Sequence, residues 1–143
     1  MVRWCFRVVF WGLQWAARVA PWLLMNGCIS ESDFQEMGRA YLDDFDRRLP
    51  AIPEDLCAPF HDQAGQLETG LLFLYKATVM CVRREADIER VAKRWENMVS
   101  MCTLFLAKLK ALHERHPHCG AEVYYDRVLD LRNKCQRLQE MHQ

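Results

Sequence analysis

Residues 88 to 116 carry apolar side chains in an unbroken 3-4-3-4 spacing, and nothing else in the chain constrains its fold as strongly. Ile88, Trp95, Cys102, Leu109 and His116 fall seven apart, and Val91, Met98, Phe105 and Leu112 fill the alternate slots. Recurrence every 3.5 residues places one stripe on one helix face, and such a stripe demands a partner. A second seam follows at once: Tyr124, Val128, Leu131, Cys135, Leu138 and His142. Only His116-Pro117-His118-Cys119-Gly120 separates the two. Two seams joined by a tight turn predict an antiparallel helical hairpin. Counting inward from a turn centred near residue 118 brings Cys102 opposite Cys135 and Phe105 near Leu131.

Upstream, Ser32 and Gln35 have capping-box spacing, and Phe34, Met37, Tyr41, Leu42 and Phe45 keep helical rhythm up to Arg47-Arg48 and Pro50. A helix over 32 to 48 is expected. Pro50, Pro53 and Pro59 then mark a long connection. Leu67, Leu71, Leu74, Thr78 and Val82 form a further stripe, thickened all round by Leu72, Phe73, Tyr75, Val79 and Met80, which points to a central helix. Its apolar run from Leu71 to Val82 is too short to span a bilayer. The pattern lapses at Arg83-Arg84-Glu85-Ala86-Asp87 and resumes in a new phase at Ile88. The phase shift favours a break there over one helix of about 50 residues, roughly 75 Å long. The fold class is therefore all-α: a three- to four-helix bundle over residues 25 to 143, ending in a heptad hairpin.

Residues 1 to 24 differ in kind. They hold four of the five tryptophans and no Lys, Asp or Glu. On a helical wheel Arg3, Arg7, Gln14 and Arg18 fall inside an arc of about 60°, with Trp4, Trp11 and Trp15 beside them. Indole at the headgroup boundary with arginine on lipid phosphate is the chemistry of an interfacial helix. A membrane surface or a protein partner is the expected contact of Arg3, Arg7, Arg18, Trp4, Trp11 and Trp15. The competing readings are an extra bundle helix, a start of translation at Met25, and a signal sequence, which Arg7 and Arg18 would interrupt.

Formal charge is zero over 143 residues, yet setting aside those three arginines leaves 16 basic against 19 acidic residues. A net of −3 over residues 25 to 143 offers no basic face to displace counterions from phosphates, so nucleic-acid binding is disfavoured. The seven cysteines are odd in number and contain no C-x-x-C pair. Cys102 and Cys135 sit in seam positions, where a thiol packs as a small hydrophobe. Reduced cysteines and a cytoplasmic location, with peripheral membrane attachment through the first segment, are the expectation.

No catalytic motif stands out. Asp126 and Asp130, four apart, read as a solvated face. His113, His116, His118 and Cys119 are four zinc-type donors within seven residues, but Pro117 occupies the place that H-E-x-x-H needs for its second histidine. A capping and turn role competes with zinc there. The sequence reads as a non-enzymatic helical interaction module that binds a protein partner or itself. The alternative is a metal- or small-ligand-binding bundle built on the His113–Cys119 cluster.

Overall fold

The computed structural model describes residues 29 to 142. The amphipathic segment expected over residues 1 to 24 lies outside them. Four helices pack against one another: α1 Glu31–Arg48, α2 Cys57–Arg84, α3 Ile88–Arg115 and α4 Glu122–Met141. Helices α2 and α3 form the central pair; α1 lies across both, and α4 pairs along α3 and touches α2. The all-α bundle read from periodicity is what the chain adopts, with four helices among the described residues.

Local chemistry sets each boundary. Helix α1 begins at Glu31, one residue before the expected start, because the cap is Ser30, two residues before Ser32: its hydroxyl accepts the Asp33 amide at 3.1 Å. Glu31 and Asp33 then face the positive helix end, and Arg47 and Arg48 the negative one. A single 3₁₀ turn, Leu49–Ala51, follows. Helix α2 starts ten residues before its apolar stripe, at Cys57. Pro59 therefore belongs to the first turn of α2, not to the connection, since a first-turn residue needs no amide donor. The break at Glu85-Ala86-Asp87 is real: Asp87 caps α3 by accepting the Glu89 amide at 3.0 Å. Gly120, with φ +78°, makes the left-handed step between α3 and α4.

The α3 seam closes as its spacing requires. Val91, Trp95, Met98, Cys102, Phe105, Leu109, Leu112 and His116 are all buried. Ile88 is not; it stays 64% exposed at the first position of α3. The second seam is shallower: Val128 and Cys135 are buried, while Tyr124, Leu131 and Leu138 are half-buried against the core. The buried Cys102 and Cys135 side chains interact across the hairpin, as the count from the turn anticipates.

Helix α1 reaches the central pair by close approach at a glycine. A Cβ at Gly70 would meet the Tyr41 ring at 2.7 Å, and that ring is braced edge-on against Phe105 at 6.5 Å. Gly70→Ala should therefore lower the urea midpoint, with overpacking of about 1–3 kcal/mol exceeding a helix-propensity gain of about 1 kcal/mol. An unchanged or higher midpoint would mean that α1 is free to shift.

The same packing perturbs the tyrosine. Burial disfavours the phenolate and pushes the Tyr41 hydroxyl up to about 12 from its usual 10.0. A raised folded-state value makes this contribution to stability complete below pH 10 and lost as pH climbs from 10 to 12. Stability measured across that window should fall, and Tyr41→Phe should flatten the fall.

Candidate interaction face and the histidine end of the bundle

Helices α2 and α4 present a laddered face. His61, Glu68 and Tyr75, seven apart on α2, meet Tyr124, Arg127 and Lys134 on α4. His61 Nδ1 lies 2.9 Å from the Tyr124 hydroxyl, Arg127 Nε pairs with Glu68 Oε2 at 2.7 Å, and Lys134 Nζ stands 5.1 Å over the Tyr75 ring. Hydrogen bonding to Tyr75 holds the Lys134 ammonium above the usual lysine value. Both series ascend together, so the two helices run parallel. Between the rungs lies a shallow groove of about 110 Å³, lined by Leu71, Leu72, Val128 and Leu131 and flanked by Glu68 and Arg127. Leu72 is 43% exposed on it. Pockets that enclose drug-sized molecules run to roughly 300–1,000 Å³. This groove is too small to enclose such a ligand.

The other cluster caps one end of the bundle. A disulfide joins Cys57, the first residue of α2, to Cys119 in the turn between α3 and α4, with 5.3 Å between their Cα atoms. Cys81 is also disulfide-bonded, whereas Cys102 and Cys135 are free and buried. The expectation of reduced cysteines thus holds for the seam pair and is corrected for Cys57, Cys81 and Cys119. The turn that folds α4 back onto α3 carries Cys119 to the start of α2, a juxtaposition that no sequence spacing reveals.

The four predicted zinc donors are spread around this disulfide. Cys119 is bonded to Cys57, so its sulfur serves as a thiolate only after reduction. His118 is exposed, and its ring offers a nitrogen within 4.8 Å of both sulfurs. Among the described residues, Cys57, His118 and Cys119 form that close donor group; His113 and His116 are not part of it. His116 is fully buried as the C-cap of α3, its amide donating to Leu112 and His113 carbonyls, its ring 5.6 Å from Phe60. Neither of its ring nitrogens has a hydrogen-bond partner. His113 is half-buried one turn earlier. Capping and packing therefore account for His116. Sequence reasoning missed Cys57 and Phe60, the two α2 residues that complete this end.

Elsewhere, Asp126 and Asp130 are exposed on α4, as a solvated face requires. Among the described residues no helix is long and apolar enough to cross a membrane. The membrane- or partner-contact set Arg3, Arg7, Arg18, Trp4, Trp11 and Trp15 lies outside the described residues. Comparison of the chain with protein-family models, with characterised proteins and with solved structures finds no match.

Proposed function

We propose that this chain is a disulfide-stapled helical recognition module that engages a partner protein through its α2–α4 face. The carrying observation is the apolar groove floored by Leu71 and Val128, with Leu72 standing exposed between charged rungs. An apolar centre bordered by paired charges is the anatomy of a protein-binding patch, where the centre supplies burial and the rim supplies register. Helix α4 adds exposed Val123 near the same end. The Cys57–Cys119 disulfide supports work in an oxidising compartment in place of the cytoplasm. Anchoring at a membrane surface through residues 1 to 24 remains compatible with this reading and rests on the arginine and tryptophan wheel alone.

A photo-crosslinking residue at Leu72 tests the face directly. It should capture one dominant protein, or a second copy of the chain, and added Arg127→Glu should abolish the capture. The same residue at Leu104, exposed on α3 away from the groove, should capture far less. Equal capture from both positions would remove the assignment.

A further inference from the structure

Among the described residues, the two thiols outside disulfides occupy opposite sides of one seam. Cys102 on α3 and Cys135 on α4 are both free and both fully buried. Each is the smallest residue of its stripe, and the two thiols are near enough to shift each other's titration in opposite directions. Sequence counting pairs the same two positions, 33 residues apart and equidistant from the turn. A chain that already carries disulfides at Cys57–Cys119 and at Cys81 meets oxidants as it folds.

We propose that Cys102 and Cys135 are a disulfide-forming pair that locks α4 onto α3. The exchange needs a small disulfide oxidant of the glutathione class. The Cys135 thiolate attacks one sulfur of that oxidant, forming a mixed disulfide and releasing one small thiolate. The Cys102 thiol then loses its proton and attacks the Cys135 sulfur, expelling the second small thiolate. Two protein S–H groups become one S–S bond, and one oxidant disulfide becomes two thiols. Cys135 attacks first because it rides on the helix that opens; in the closed bundle the two thiols are already set apart. The Cys102 hydrogen bond and the Lys134 charge hold Cys135 below the usual thiol range. The hydrogen bond to Cys135 and burial push Cys102 up.

Access comes from the helix that carries Cys135. Helix α4 buries only Val128 and Cys135 fully, against nine such residues on α3. Both sulfurs are buried in the closed bundle, so the exchange proceeds through a local opening in which α4 lifts from α3. The bond would form in that open state and would then suppress the opening.

The test equilibrates the full chain with oxidised and reduced glutathione, alkylates it under denaturing conditions and maps peptides without reductant. The expected result is a Cys102–Cys135 linked peptide lighter by two hydrogens, with both thiols leaving the alkylated pool together. Oxidised protein should also show slower hydrogen exchange along α4. In Cys102→Ala, which lacks the resolving thiol, glutathione should accumulate on Cys135 instead. Both wild-type thiols remaining alkylated across the oxidant series would overturn the proposal, as would linkage of either to another cysteine.

Discussion

Replacing Phe105 with alanine should cost about 3–5 kcal/mol of folding stability, the range for a large aromatic removed from a core that cannot collapse around the gap. Phe105 has no solvent exposure and sits mid-seam on α3. Its ring meets the edge of Tyr41 on α1, so the side chain joins the central pair to the flanking helix. Tyr41 is in turn fitted over Gly70 of α2, which leaves little freedom to refill the space. Urea unfolding should show a lowered midpoint with an unchanged slope. A midpoint equal to that of the wild type would mean that the α3 seam is not the core.

Removing the staple should be of similar size. Cys57 and Cys119 are 62 residues apart, and closing a loop of that length restricts the unfolded chain by about 4 kcal/mol in the loop-entropy account. The double change Cys57→Ala with Cys119→Ala should lower the melting temperature by on the order of 15 °C for a domain of this size. Fold should survive below the transition, because the α3 seam and the central α2 stripe do not depend on the bond. The bundle end at Phe60, His116 and Tyr124 should loosen first, with faster hydrogen exchange there. An unchanged melting temperature would contradict the pairing.

These effects divide along what one-dimensional pattern can carry. The α3 seam and its break at Glu85-Ala86-Asp87 were legible because burial repeats with the helix period, and the hairpin because a short turn leaves one way to fold back. Cys102 facing Cys135 followed from the same count. Ser30 was hidden by the better-spaced Ser32, since either serine can cap and only backbone geometry selects. The extent of α2 was obscured by Pro59, which reads as a breaker until it is placed in a first turn.

The histidine end was less legible for a different reason. Its parts come from α2, from the α3 cap and from the α4 side of the turn, so no local spacing contains them. Four donors crowded between His113 and Cys119 drew attention to zinc, while the residue that engages Cys119 lay 62 positions upstream. The ladder of His61, Glu68 and Tyr75 repeats every seven residues and could have been seen on α2. Its partners on α4 could not, because parallel neighbours separated by a whole antiparallel helix leave no trace in spacing.

The central claim is a bundle in which the start of α2 and the α3–α4 turn are stapled together at the histidine end, with the α2–α4 face proposed for recognition. Non-reducing peptide mapping of the intact chain, alkylated before digestion, addresses it most directly. The account predicts one linked species joining the Cys57 and Cys119 peptides, released only by reductant. Recovery of Cys57 and Cys119 as separately alkylated thiols would contradict it, and would return both the staple and the oxidising compartment to question.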